Sequence, residues 1–202
     1  MKNLKEKYDR VFYTNFIHSE FIKDILLKTK WENCDINTFS LMYLMGLSNT
    51  YYREIVPKLK EQYIVVLDRY IYTIISKNIV SNEIKNDKWI NSCLEIFRKP
   101  DIKIYIDTSI SECLKRKKEN TQYLSYWECG GNIFYDESLR QAYDENRYSE
   151  NFLKYQTKIQ EIYKKYIKKE EDWLIIDGNN SKENISKQML KVVIDKIEEG
   201  RI

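Results

Sequence analysis

Glycine is scarce in this chain of 202 residues, which contains five glycines and two prolines. Gly46 is the only glycine before Gly130, and neither Gly-Lys-Ser nor Gly-Lys-Thr occurs anywhere. A loop that cradles phosphate needs glycines so that successive backbone N–H groups can face one anion, as in the pattern GxxxxGK[ST]. The 202 residues therefore contain no phosphate-binding loop of that type.

Closely spaced cysteines and long apolar runs are also missing. Cys34, Cys93, Cys113 and Cys129 form no CxxC pair, which argues against a zinc site and favours reduced thiols in a cytoplasmic protein. No apolar run approaches the ~20 residues that a membrane helix needs, so we expect no membrane partner. Residues 1–10 are charged and lack an apolar core, so the sequence predicts no signal peptide.

Charge of one sign is only slightly in excess. Lys and Arg number 34 against 31 Asp and Glu, a formal net charge of +3. A dedicated nucleic-acid-binding domain usually shows a strong basic patch, so we expect no nucleic-acid partner. His18 is the only histidine, and the chain shows no Ser or Cys elbow near it, which argues against a nucleophilic triad and predicts a structural histidine.

Short apolar runs alternate with segments of helical spacing. The predicted strands are 10–14, 63–67, 102–106 and 173–176. The predicted helices are 16–29, about 36–60, 70–82, 86–98, 109–119, 148–166 and 180–194. The second of these would be capped by Asp35 or Asn37, and Pro57 would disturb its last turn. This alternation predicts a three-layer α/β/α fold with a mostly parallel sheet. We expect one domain over residues 1–202, with a lid-like excursion at about 120–147 that holds Gly130 and Gly131.

The strand at 63–67 ends in Asp68-Arg69-Tyr70, which presents an acid and a base at its tip. Ligands of α/β proteins bind at the carboxyl ends of the strands. An Asp there can hold a Mg²⁺-bound water, and an Arg can donate two parallel hydrogen bonds to phosphate oxygens. The alternative is a salt-bridged pair that only closes the strand.

Four segments carry a resemblance to a known family. They are DRYIYT, KPDIKIYIDTSISECLKR, NRYSENFLKYQTKIQEIYKKY and WLIIDGNNSKENI, in this order. They resemble the matching segments of thymidylate kinases, over roughly residues 10–195. The resemblance is closer to a bacterial branch of thymidylate-kinase-like proteins. That branch has a Y-x-E-x-G stretch, which is Tyr126-Trp127-Glu128-Cys129-Gly130 in this chain. It also has a helix whose matching residues here are Ser149, Phe152, Tyr155 and Gln156. The resemblance implies a P-loop-kinase-like fold and the transfer of the γ-phosphoryl group of ATP to a nucleoside monophosphate such as dTMP, with Mg²⁺.

The resemblance also implies roles for individual residues. Asp68 would lie near the metal and the transferring phosphoryl group, and Arg69 would grip the acceptor phosphate. Tyr70 and Thr73 would help to hold the acceptor nucleotide, and Arg147 would neutralise phosphate charge during transfer.

Four further positions are candidate nucleotide-binding residues by resemblance. Arg140 is a second lid arginine and Arg116 would lie on the adenine side, although either could be an ordinary solvated side chain. Met45 and Asn49 stand where the family has the aromatic that stacks on thymine and an arginine that binds the acceptor. These two departures leave the acceptor base open.

The largest departure from the family is the absence of its first strand and P-loop, since Met1 falls inside the helix that should follow them. In that fold the first strand lies between strands 63–67 and 102–106, and its removal leaves a gap of roughly 10 Å. The two strands could pair directly, another chain could donate a strand, or the natural product could begin further upstream.

Two classes of function follow from this absence. The protein is either an enzyme whose phosphate loop comes from an upstream segment or a partner, or a catalytically inactive relative that binds nucleotide or protein. We expect the 202 residues alone to have little or no kinase turnover, because phosphoryl transfer depends on positioning and charge neutralisation. The expected partners are a nucleotide and either a second copy, since family members often pair as dimers, or a strand-donating chain.

Overall fold

The computed structural model describes residues 2–15, 22–25, 36–81, 88–120, 123–130, 144–170 and 172–200. These residues belong to two compact units, Met1–Phe97 and Arg98–Ile202. Each unit contains helices and one pair of parallel strands, so the predicted α/β class with parallel pairing is confirmed. The division into a single domain stays a prediction. None of the described helices combines the length and the apolar character that crossing a bilayer demands.

The first unit begins with a short helix and a strand. Its elements are α1 (Lys2–Lys7), β1 (Val11–Thr14), α2 (Ile36–Thr50), a π-helical turn (Tyr51–Ile55), α3 (Val56–Lys60), β2 (Ile64–Leu67), α4 (Ile71–Ser81) and α5 (Lys88–Leu94). Residues 22–25 form one further helical turn. The two strands run parallel, with Val11 opposite Ile64 and Thr14 opposite Leu67. Their carboxyl ends therefore meet at one edge of the unit.

The helical segment from Ile36 to Lys60 is continuous but widens into the π-helical turn just before Pro57. Proline has no N–H to donate, and its ring crowds the carbonyl four residues earlier. That carbonyl belongs to Arg53, inside the π-helical turn, and the wider turn accommodates the proline. The predicted helix to residue 60, disturbed at Pro57, is confirmed.

Helices α2 and α4 pack on each other through a seam that contains buried polar groups. The Asn78 amide donates a 2.9 Å hydrogen bond to the Ser40 hydroxyl, and both side chains are almost fully buried. On α2, a Cβ atom at Gly46 would lie 2.2 Å from Cδ1 of Ile22. Glycine at this position therefore lets the helical turn at 22–25 approach α2 closely.

The second unit has a longer helix between its two strands. Its elements are β3 (Lys103–Asp107), α6 (Ile110–Asn120), α7 (Glu145–Lys169), β4 (Trp173–Asp177) and α8 (Lys182–Glu198). The strands are parallel and in register, with Asp107 opposite Asp177. Asp144 caps α7 by accepting hydrogen bonds from the backbone N–H groups of Asn146 and Arg147, which explains why the helix begins before its first predicted residue.

Residues 124–130 pack against α6 and α7. Leu124 and Cys129 form a buried cluster with Tyr148 and Phe152 of α7. Gly130 has a positive φ of 65°, and a Cβ atom there would lie 2.8 Å from the Tyr155 ring. This part of the predicted lid-like excursion is therefore anchored, whereas residues 131–143 lie outside the described residues and the lid stays a prediction.

Candidate functional site

The tip of β2 presents Asp68 and Arg69 to solvent, as the sequence predicts. The Asp68 N–H donates to the Thr14 carbonyl at 3.2 Å, so pairing with β1 continues to the tip before the chain turns. Arg69 makes that turn with a φ of 68°. This left-handed conformation costs a non-glycine residue about 1–2 kcal/mol, and such strain tends to cluster at functional sites.

The Asp68 carboxylate is held by the end of β1 and not by its neighbour. Its Oδ2 accepts hydrogen bonds from the Tyr13 hydroxyl at 3.4 Å and the Asn15 amide at 3.2 Å. Asp68 and Arg69 form no ion pair with each other, and the Arg69 guanidinium has no hydrogen bond or ion pair within the described part of the chain. The alternative of a salt-bridged pair that merely closes the strand is therefore wrong.

A second carboxylate reaches the same edge from the π-helical turn. The Thr14 hydroxyl donates a 2.8 Å hydrogen bond to Oε2 of Glu54, and Thr14 lies opposite Leu67, next to the tip. Sequence reasoning missed Glu54. The signal that could have found it is Pro57, because a proline inside a helix changes which residues face the neighbouring strand.

Tyr43 of α2, which the sequence did not single out, lies within electrostatic range of Arg69. Burial raises the pKa of the Tyr43 phenol, and the positive charge of Arg69 opposes that rise. The Tyr43 ring packs on Phe39 with centroids 4.5 Å apart, and the Lys77 ammonium lies over both rings. Two aromatic residues of α2 and one cation of α4 thus lie together.

Tyr70 and Thr73 form the first turn of α4, where the Thr73 N–H donates to the Tyr70 carbonyl at 3.0 Å. The Tyr70 ring meets Phe97 edge-on at 6.3 Å, and burial raises the pKa of its phenol. Thr73 is buried, and its carbonyl accepts a hydrogen bond from Ser76. Both residues follow the tip directly, and their nucleotide-binding roles stay predictions.

Met45 and Asn49 lie on α2 away from the face that carries Tyr43. Successive residues of a helix turn by about 100°, so Met45 is turned about 200° from Tyr43. Met45 is exposed and Asn49 is half-buried. Met45 and Asn49 therefore lie on a different face of α2 from Tyr43, and their predicted roles remain predictions.

Arg116 of the second unit is hydrogen-bonded to the turn after β4. Its guanidinium donates to the Glu112 carboxylate at 2.8 Å, to the Gly178 carbonyl at 2.8 Å and to the Asn180 carbonyl at 3.2 Å. Arg116 is therefore not simply a solvated side chain. A role on the adenine side of a nucleotide stays a prediction.

The two predicted lid arginines differ in what the structure describes. Arg147 is exposed in the first turn of α7, and its backbone N–H donates to Asp144 at 3.2 Å. Arg140 lies outside the described residues. The charge-neutralising role of both stays a prediction.

The residues present suit Mg²⁺ better than they suit the donor phosphates of ATP. Mg²⁺ is commonly held by one or two carboxylates together with substrate phosphates, and the exposed Asp68 carboxylate fits that contribution. Within the described ranges, no group of three or more His, Cys, Asp or Glu side chains could hold a metal by itself. No glycine-rich cradle for the donor phosphates occurs in the 202 residues, so these residues do not fit ATP phosphates.

Comparison with known proteins gives one consistent family. The sequence model of the family Thymidylate kinase matches residues 14–189. A probable thymidylate kinase 2 of Saccharolobus solfataricus is 30% identical over 194 residues, which cover 96% of this chain and 86% of the relative. A thymidylate kinase of Mycoplasma capricolum subsp. capricolum is 23% identical over 213 residues, covering 98% of this chain and 88% of the relative.

Two solved structures have a similar fold. Thymidylate kinase from Ehrlichia chaffeensis superposes with a TM-score of 0.62 at 17% identity, covering 95% of this chain and 85% of that one. Thymidylate kinase from Candida albicans gives a TM-score of 0.67 at 16% identity, covering 100% of this chain and 86% of that one. The fold predicted from the sequence is therefore confirmed.

Proposed function

The chain belongs to the thymidylate kinase family, and we propose that its 202 residues bind a nucleoside monophosphate such as dTMP at the carboxyl ends of β1 and β2. The family and the fold support a nucleotide-kinase-like function. The observation that carries the proposal is the exposed Arg69, held in left-handed backbone at the tip of β2 with no partner for its guanidinium in the described part of the chain.

Arg69 and Asp68 would have different roles at the acceptor phosphate. A guanidinium presents donors in a planar fork that matches two phosphate oxygens, and Arg69 already holds the conformation that exposes this fork. Tyr13 and Asn15 fix the Asp68 carboxylate. Asp68 would hold Mg²⁺, which neutralises phosphate charge when bound.

The 202 residues contain candidate groups for the acceptor nucleotide but no recognisable binding loop for the donor, ATP. Because no cradle for the donor phosphates lies in the 202 residues, we infer that they bind dTMP but have little or no kinase turnover by themselves. An enzyme completed by a phosphate loop from another segment or partner, and a catalytically inactive nucleotide- or protein-binding relative, both meet this condition.

A binding comparison tests the acceptor site. Titration calorimetry of the 202-residue protein with dTMP should give saturable binding, and thymidine, which lacks the phosphate, should bind much more weakly. Arg69→Ala should weaken dTMP binding about 10- to 100-fold, the usual worth of a hydrogen bond to a charged group. The control is Arg10→Ala, an exposed arginine just before β1, at the other end of the strand pair.

Two results would count against the proposal. Equal dTMP affinity of wild type and Arg69→Ala would remove Arg69 from the site. Ordinary kinase rates with ATP and dTMP would contradict the donor part alone, and would leave the acceptor site standing.

A second copy of the chain is the partner we propose for α2. Leu41, Met45 and Tyr52 are exposed apolar residues at spacings of four and seven, which places them on one face of the helical segment. Leu41 and Tyr52 are each 54% exposed. A stripe of this kind suits a self-complementary interface between two copies.

A further inference from the structure

Glu54 is placed by the π-helical turn, in which the Val56 N–H donates to the Tyr51 carbonyl, five residues back. An α-helix would use the carbonyl four residues back, so this turn is wider, and such turns are frequent at functional sites. Tyr51 and Ile55 anchor the turn, since they are only 8% and 5% exposed. Glu54 follows this anchored backbone and is half-buried. Its position is therefore set by the packing of the core.

Thr14 connects Glu54 to the tip of β2. Its hydroxyl donates a 2.8 Å hydrogen bond to Oε2 of Glu54, and its carbonyl accepts a 3.2 Å hydrogen bond from the Asp68 N–H. Threonine is β-branched and stiff at χ1, so fixing its hydroxyl also restrains the backbone that carries its carbonyl. The Glu54 carboxylate is thereby coupled to the backbone from which the left-handed turn at Arg69 starts.

The two neighbours of Thr14 hold the side chain of the same aspartate. The Tyr13 hydroxyl and the Asn15 amide donate to Oδ2 of Asp68 at 3.4 Å and 3.2 Å. Three consecutive residues at the end of β1 thus contact Asp68, two through its carboxylate and one through its N–H. The hydrogen bond to Glu54 ties this end of β1 to the π-helical turn, so it restrains all three contacts.

We propose that Glu54 is a positioning residue of the acceptor site, which acts through Thr14 to hold the tip of β2 in the conformation that presents the Arg69 guanidinium to a phosphate. This inference rests on the function proposed above. Left-handed backbone at a residue other than glycine persists only where the surrounding structure over-determines it, and the chain of contacts from Glu54 supplies that constraint. Glu54 does not bind the phosphate itself, because two anions repel each other.

Two substitutions of Glu54 separate its hydrogen bond from its charge. Glu54→Gln removes the charge but keeps an oxygen that can accept from Thr14, so it should bind dTMP at least as tightly as the wild type. Glu54→Leu removes both, and loss of positioning should weaken dTMP binding about 3- to 10-fold. A carboxylate that only repelled the phosphate would give the opposite sign, with tighter binding by Glu54→Leu.

Titration calorimetry without Mg²⁺ measures these affinities, so that Arg69 rather than a metal ion provides the positive charge for the phosphate. Glu6→Leu, at an exposed glutamate of α1, is the control and should keep the wild-type affinity. Glu54→Asp keeps the charge and draws the carboxylate back by about 1.5 Å, the length of one C–C bond. It should weaken dTMP binding as Glu54→Leu does, and it decides the question if urea unfolding shows that the leucine variant does not fold.

The partner residue gives a second, independent series. Thr14→Val removes the hydroxyl and should weaken dTMP binding about as much as Glu54→Leu, whereas Thr14→Ser keeps a hydroxyl and should restore most of the affinity. A general loss of structure would weaken binding in any background. Because the role of Thr14 runs through the Arg69 guanidinium, Thr14→Val should add almost nothing to the loss already caused by Arg69→Ala.

The outcomes distinguish this inference from the function on which it rests. Unchanged or tighter binding by Glu54→Leu and Glu54→Asp, or a Thr14→Val effect as large in Arg69→Ala as in the wild type, overturns the role of Glu54 and leaves the acceptor site intact. Absence of dTMP binding by the wild type, or full affinity in Arg69→Ala, overturns the acceptor site and the inference about Glu54 with it.

Discussion

Arg69 combines a strained backbone with an exposed guanidinium that has no partner in the described residues. Neither feature stabilises the protein. The left-handed conformation costs about 1–2 kcal/mol relative to an ordinary one, and an exposed guanidinium without a hydrogen bond or ion pair in the described residues contributes little to stability. Ligand binding explains the conformation and exposure of Arg69 better than folding does. For this reason we place Arg69 at the centre of the proposed acceptor site.

Replacing Arg69 by glycine and by alanine separates backbone strain from charge. Both variants should lose dTMP binding, because both lack the guanidinium. Arg69→Gly should nevertheless unfold with a free energy about 1 kcal/mol higher than Arg69→Ala, since glycine adopts positive φ without a Cβ penalty. Urea unfolding at neutral pH measures the difference. Equal stabilities would mean that residue 69 is not left-handed in solution.

The segment between α6 and α7 is tied to both helices by Glu128. Its carboxylate accepts hydrogen bonds from the Lys117 ammonium at 2.7 Å and from the Ser125 hydroxyl at 2.7 Å, and its carbonyl accepts one from the Gln156 amide at 2.8 Å. Burial raises the pKa of the Glu128 carboxyl, but the hydrogen bonds from Lys117 and Ser125 outweigh burial and leave the pKa below its ordinary value near 4.5.

The Lys117–Glu128 contact should contribute stability that depends on pH. A carboxyl with a lowered folded-state pKa stabilises the protein above its unfolded-state value, near 4.5, and this contribution is lost as the pH falls through the folded-state pKa. Lys117→Met should therefore lower the free energy of unfolding by about 1 kcal/mol at pH 7. The difference from wild type should shrink in acid below pH 4.5.

Lys115→Met is the matched control, because Lys115 is an exposed lysine of the same helix. It should leave the free energy of unfolding close to that of the wild type at every pH. Urea unfolding between pH 3 and pH 8 gives the comparison, as an experimental range that brackets the carboxyl titration. A Lys117→Met penalty that stayed constant in acid would show that packing of the lysine stem, rather than the ion pair, holds the segment.

Within the described ranges, each unit of the molecule has one pair of strands, β1 with β2 and β3 with β4. The described part of the chain shows no other paired strand. The relatives that it matches are somewhat longer, since the chain spans 86% and 88% of two of them. The acceptor edge that we propose, at the carboxyl ends of β1 and β2, is formed by residues of the first unit.

The assembly state is a prediction about the exposed stripe of Leu41, Met45 and Tyr52. We expect the chain to sediment at twice the 24.6 kDa of one copy. Tyr52→Glu should shift it to the monomer, because a carboxylate buried in an apolar interface has no partner. Tyr123→Glu, at a 66% exposed tyrosine of the second unit, is the control and should leave the dimer intact. A wild type that is monomeric at all concentrations would contradict the proposal.

Local patterns in the sequence were sufficient to predict most of the helices and strands and the exposed tip of β2. Five apolar or aromatic residues before Asp68 predict the strand, and the same local pattern ends it with an exposed acid and base. Helical spacing and Pro57 likewise predict the long segment of α2 and α3 and its disturbed end. These features depend on neighbouring residues in the chain, which is the information that a single sequence contains.

The surroundings of the tip could not be predicted in this way, because they depend on how distant segments pack. Glu54 and Tyr43 lie on helices, and a helix places every residue on some face without saying which face meets a given strand. The rotation of about 200° between Met45 and Tyr43 makes Met45 exposed and Tyr43 buried. The Arg116 guanidinium donates hydrogen bonds to the backbone carbonyls of Gly178 and Asn180, more than sixty positions along the chain. Such contacts depend on packing and backbone geometry between distant segments, which local patterns do not specify.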